Sequence, residues 1–117
     1  MDRDNDPRVI TGHDELARGR WRTFSLAEQL GNVGSEVSRM ISWRARGNET
    51  YAERAFERAL ELLDLTLGDG RWTGPRRREI ARAREALCSD FLARDEASLR
   101  SLDRYSTAFA LLARRDR

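Results

Sequence analysis

Four stretches of this chain carry apolar residues at the alternating three- and four-residue steps of one helix face. In the first, Leu26, Leu30, Val33, Val37, Met40 and Ile41 recur between Ser25 and Arg46. Ser25 stands three residues before Glu28, a spacing at which hydroxyl and carboxylate satisfy each other's free backbone amides, and Gly47 follows as a stop. Thr50 and Glu53 repeat that spacing and predict a second helix from Thr50 through Leu67, closed by Gly68. Its stripe is Phe56, Leu60, Leu63 and Leu67, widened by Ala52, Ala55, Ala59 and Leu62. The turn-rich GDGRWTGP then precedes a third helix, which Pro75 suits because its missing amide hydrogen would be unpaired in a first turn. Ile80, Leu87 and Phe91 line that helix as far as Leu92, with Ala83 and Cys88 alongside. The fourth, from Ala97 to Arg114, carries Leu99, Leu102, Tyr105, Phe109 and Leu112.

No segment shows the alternation or β-branched enrichment of a strand. Short connections between helices make sequential neighbours antiparallel. The expected fold is therefore all-α: an antiparallel four-helix bundle over residues 25–115 behind a mobile N-terminal arm over residues 1–24. Pro7, Gly12, Gly19 and mixed charges break any period in that arm, while Trp21 and Phe24 at its end are expected to dock on the bundle. Beside the first apolar stripe runs a row of small residues, Ala27, Gly31, Gly34 and Ser38. Each glycine inside a helix costs about 1 kcal/mol against alanine, so the row points to close approach of another backbone.

Composition narrows the classes of function. A chain of 117 residues builds one core. With 36% charged residues it has no apolar run near the roughly 20 residues of a membrane span. The opening MDRDNDPRVITGHDE lacks the apolar centre of a secretory signal, and a cytoplasmic location is expected. Cys88 is the only cysteine, which leaves no internal disulfide framework and no multi-cysteine zinc site. His13 is the only histidine and falls in the arm, so neither a metal centre nor a cofactor is expected. The Glu-x-x-His pairs of a di-iron bundle are absent.

All 22 basic residues are arginines, against 20 acids, for a net charge of +2. That balance neither requires nor forbids nucleic acid; arginine exclusivity fits bidentate phosphate recognition and equally a compositional bias. The densest basic run is Arg76, Arg77 and Arg78, with Arg82 one turn on and Arg71 before it. These five are the candidate nucleic-acid-binding residues, through backbone contacts without base selectivity. Arg114, Arg115 and Arg117 form a second cluster.

Arg84 falls on the apolar face of its helix and calls for a carboxylate, because an unpaired buried guanidinium is too costly. Glu36 and Asp64, at the edges of their stripes, are the candidate partners. Glu53, Glu57 and Glu61, beside Arg54 and Arg58, read as charge along one side of the second helix. No Gly-rich phosphate loop, nucleophile elbow or Cys/His dyad appears, and no enzyme is expected.

SLAEQLGNVGSEVSRMISW, YAERAFERALELLDLT and RREIARAREALCSDF, strings lying between Ser25 and Phe91, resemble a family of small prokaryotic four-helix bundle proteins. That family is similar to the proteins encoded in intervening sequences of 23S ribosomal RNA and, more distantly, to the accessory subunit of diversity-generating retroelements. The resemblance implies a helical bundle that assembles as a homo-oligomer, with rings among the known forms, and a basic surface for nucleic acid and a protein partner. It defines no catalytic site.

The expected function is a non-enzymatic homo-oligomeric adaptor that contacts RNA or DNA through its arginine-rich surface. The alternative is a purely protein-binding or structural bundle. A third reading is a ribonuclease resembling the helical HEPN family, whose arginine-histidine pair Arg8 and His13 would supply.

Overall fold

The structure, a computed structural model, describes the backbone of residues 18–115 and the side chains of residues 18–105. Arg8 and His13 lie outside the described residues, as do the side chains of Arg114, Arg115 and Arg117. Four long helices follow one another: α1, Leu26–Ala45; α2, Glu49–Leu67; α3, Gly74–Leu92; α4, Glu96–Arg115. A helical turn at residues 18–21 precedes them, and the described residues contain no strand. The fold is all-α.

Local chemistry sets most of the ends. Ser25 Oγ accepts from the Glu28 amide at 3.1 Å while Glu28 Oε1 accepts from the Ser25 amide at 2.9 Å, so the reciprocal cap is complete. After α1 the chain turns through Gly47 at φ 79°, a conformation open to glycine at no steric cost. The second helix begins earlier than its Thr50–Glu53 spacing predicts. Asn48 caps it instead, its side chain accepting from the Tyr51 amide at 3.0 Å. An asparagine oxygen serves an N-terminal amide at least as well as threonine does, and it stands where the Gly47 turn ends. Asp95 does the same for α4, accepting from the Ser98 amide at 3.1 Å, so that helix starts at Glu96 rather than Ala97.

α1 packs extensively on both α2 and α4, and α3 touches α2 and α4 more lightly. Two-sided packing explains why Gly31 and Gly34 are buried. Their row ends at Ser38, whose hydroxyl hydrogen-bonds Asp103 of α4. The small-residue face of α1 is thus used inside the chain. On α2 the deepest line is Ala52, Ala55, Ala59, Leu63 and Thr66, with Phe56, Leu60 and Leu67 half-buried at its flank. The face is rotated toward its alanines relative to the Phe56–Leu67 stripe, because small side chains let α1 approach. Val37, Met40, Leu87 and Leu99 are fully enclosed between these helices.

One end of the molecule is gathered by Arg44, in the last turn of α1. Its Nη2 donates to Glu49 in the first turn of α2 at 2.8 Å, and its Nη1 donates to the carbonyl of Phe91 in the last turn of α3 at 3.2 Å. Nη1 also lies 3.5 Å from Glu96 in the first turn of α4. The guanidinium rests 3.8 Å over the Phe91 ring, which stacks in turn on Phe56 with centroids 4.1 Å apart. The hydrogen bond from Arg44, against some desolvation, holds the Glu49 carboxyl below its ordinary value.

Replacing Arg44 with alanine should destabilise the fold by about 2 kcal/mol. Its carboxylate partners stay partly hydrated, so the loss is smaller than for a fully enclosed pair. Glu49→Gln should cost less than about 1 kcal/mol. Urea denaturation followed by far-UV circular dichroism checks both values and their order.

Candidate nucleic-acid interface

The five expected binding arginines do not form one group. Arg71 is engaged by the protein itself. Its Nε and Nη2 clasp Asp69 at 2.7 to 3.2 Å, its Nη2 donates to the Phe24 carbonyl at 2.6 Å, and its guanidinium lies 4.5 Å over the Trp72 ring. Asp69 is buried. It belongs to a polar network that also takes in Gln29 and Thr66, each with no exposed surface.

In that network Gln29 Nε2 donates to the Trp21 carbonyl at 2.9 Å and to Asp69 Oδ2 at 3.0 Å, while its Oε1 accepts from Trp72 Nε1 at 2.8 Å. Trp21 Nε1 donates to Thr66 Oγ1 at 3.0 Å, and the Thr66 hydroxyl donates to the Leu62 carbonyl at 2.9 Å. Each of these bonds offsets the desolvation that burial would otherwise impose. Together they pin residues 21–24 and the loop before α3 to the N-terminal end of α1. Residues 18–24, expected as the end of an arm, include a buried Trp21 with Phe24 packed edge-on against it at 5.6 Å.

The hydrogen bonds from Arg71, ahead of those from Gln29, hold the Asp69 carboxyl far below its ordinary value of 3.8 despite its burial. Arg71 is shifted upward by the same pair.

Arg76, Arg77, Arg78 and Arg82 are exposed on the first three turns of α3, and none of them makes an ion pair among the described residues. That first turn holds no acidic residue, and Thr73 gives it no side-chain cap. Cations beside exposed helix amides are electrostatically unfavourable, and the same amides with arginines around them suit an anion.

Arg84 bonds Asp64, Nε to Oδ1 at 2.7 Å and Nη2 to Oδ2 at 3.3 Å, in a partly exposed bidentate pair. Glu36 is not its partner. It is buried against α1's own Arg39, with Nη1 to Oε1 at 2.7 Å. The Arg84–Asp64 pair ties α3 to α2, a structural task.

A second basic surface escapes the sequence reading. Between α1 and α2 lies an open recess of about 340 Å³ lined by Glu36, Arg39, Trp43, Tyr51, Arg54 and Arg58. Trp43 and Tyr51 meet edge to face at 4.8 Å; Arg54 sits 5.3 Å over the Tyr51 ring and Arg46 5.2 Å over that of Trp43. Among the described residues no group of three His, Cys, Asp or Glu side chains could hold a metal ion, and no helix is long and apolar enough to cross a membrane. No protein-family model, curated protein or solved structure matches the chain.

Asp69 carries a pH dependence. Its folded pKa is depressed, so the stability it confers is complete above the ordinary carboxylate value and is lost as pH falls through that value toward the folded one. The urea midpoint, read from tryptophan fluorescence, should therefore fall between about pH 5 and pH 2. Asp69→Asn should lower the midpoint at neutral pH and flatten that fall; an equally steep fall in the variant would place the acid sensitivity elsewhere.

Proposed function

We propose that the protein is a non-enzymatic, cytoplasmic, self-associating helical adaptor that contacts RNA or DNA through Arg76, Arg77, Arg78 and Arg82. The observation that carries the reading is the contrast within the candidate set. Arg71 is spent on Asp69, whereas the four arginines of the α3 start are exposed with no ion pair among the described residues. A phosphate backbone would answer both their charge and the open amides of that helix start.

The architecture in this proposal is an antiparallel four-helix bundle, supported by the way the C-terminal turns of α1 and α3 meet the N-terminal turns of α2 and α4 at Arg44. The resemblance to intervening-sequence and retroelement accessory proteins is part of the same reading and favours a homo-oligomer, a ring included. Self-association would have to use outer helix faces, because the glycine row of α1 is buried within the chain.

The test is fluorescence anisotropy of labelled RNA and duplex DNA over a salt series, with light scattering on the same sample for its mass. Neighbouring arginines on a helix diverge, so about two of the four should reach phosphates at once. Replacing all four by glutamine should weaken binding without unfolding the chain and reduce the slope of log affinity against log salt by about 2. Unchanged binding in that variant removes the α3 surface from the proposal. Absence of binding by the native protein at low salt makes a protein-binding bundle the better account.

A further inference from the structure

We infer that the recess between α1 and α2 is a separate site for a nucleoside phosphate, free or as one unit of a single strand. Three guanidiniums, from Arg39, Arg54 and Arg58, line it against the one carboxylate of Glu36, and that carboxylate is already bonded to Arg39. Arg54 and Arg58 form no ion pair among the described residues. The acids interleaved with them on α2, Glu53 and Glu57, do not line the recess. The local field is positive although the chain as a whole is nearly balanced.

Charge alone would suit any anion; the aromatic pair narrows the class. Trp43 is half-buried and Tyr51 is 44% exposed at the same recess. Arg54 is held over the Tyr51 ring, which restricts its planar fork before any ligand arrives and lowers the entropy lost on binding. Cationic forks beside aromatic rings are the parts with which proteins hold phosphates and stack bases of unpaired strands. The volume, about 340 Å³, is at the small end of the range for small-molecule sites and has room for one nucleotide at a time. A duplex presents its phosphates on a convex surface with its bases paired inside, and cannot offer a base to this concavity.

The site does not depend on the α3 arginines, which lie on a different helix, and the two can fail separately. Binding is read by anisotropy with labelled oligo-rA and oligo-dT, and by intrinsic fluorescence with unlabelled AMP. Trp43→Phe identifies that ring's share of any quenching. Arg54→Gln with Arg58→Gln should weaken oligonucleotide binding by roughly tenfold or more and cut the salt slope by about 1.4, the value for two phosphate contacts on a single strand. Tyr51→Ala should weaken it by roughly fivefold or more through lost stacking. Arg58→Lys should recover part of the affinity, since it keeps the charge and loses the fork.

The α3 glutamine variant should leave AMP quenching intact. In that α3 variant, oligonucleotide binding far tighter than AMP assigns the site to a strand, and equal affinity assigns it to a free nucleotide. Unchanged affinity for both probes in the Arg54/Arg58 double variant, with native circular dichroism, overturns the inference. So does competition by polyglutamate as strong as that by oligonucleotide, which would assign the groove to an acidic protein surface.

Discussion

The guanidinium of Arg44 is the constraint around which the helices are arranged. It is the C-terminal charge of α1, where it suits the helix dipole; its two terminal nitrogens reach the first turns of α2 and α4 and a terminal carbonyl of α3, while its Nε is buried without a hydrogen-bond partner. An arginine, with several donors fixed in one plane, can serve three neighbours at once; a lysine's point charge could not hold them in one geometry. The aromatic stack of Phe91 on Phe56 forms its floor, so the charged group continues the apolar core instead of interrupting it. The carboxylates around it keep part of their hydration, which limits the desolvation penalty that makes wholly buried ion pairs unprofitable.

At the other end of the α1–α2 pair, neutral and charged groups are combined differently. Gln29 bridges the Trp21 carbonyl, Asp69 and Trp72, and Arg71 closes the network from outside. Both candidate functional surfaces lie outside these two clasps. The arginines at the start of α3 are exposed beyond the loop that Asp69 and Arg71 fasten, and the recess of Arg39, Arg54 and Arg58 opens on the flank of the α1–α2 contact. Rigid polar ends thus leave the faces between them available for ligands.

Helix periodicity, the Ser25–Glu28 spacing, Gly47 and Pro75 made the four helices legible in the sequence, because each is a local signal read over one or two turns. The start of α2 was not, since Asn48 and Thr50 are both competent caps and only the direction of the chain leaving Gly47 decides between them. The end of α3 carries no glycine at all; Arg94 takes the left-handed conformation there at φ 58°. The clasps were illegible for a different reason. Gln29 and Thr66 are polar residues on the core-facing sides of their helices and Asp69 stands between two glycines of a turn, and no local spacing names the partners, Trp21 and Trp72 among them, that satisfy these groups. Arg84 did betray its need for a carboxylate through its place on an apolar face. Arg54 and Arg58 gave no such signal, because alternation with glutamates is what any solvated helix shows, and the groove exists only where α1 brings Trp43 and Arg39 alongside.

The alanine line of α2 has a consequence for register. Ala52, Ala55 and Ala59 present a shallow, nearly featureless ridge to α1, and such a ridge fits a neighbour shifted by one turn almost as well as one in place. Packing on these alanines alone would therefore leave several sliding arrangements close in energy. A shift of one turn, roughly 5.4 Å, would strand Arg44 away from Glu49 and pull Gln29 from Asp69 at the same time. The polar ends act as two index marks on a smooth shaft, adding a penalty for any slide to that set by the enclosed Met40 and Leu63 and by the short connection over residues 46–48.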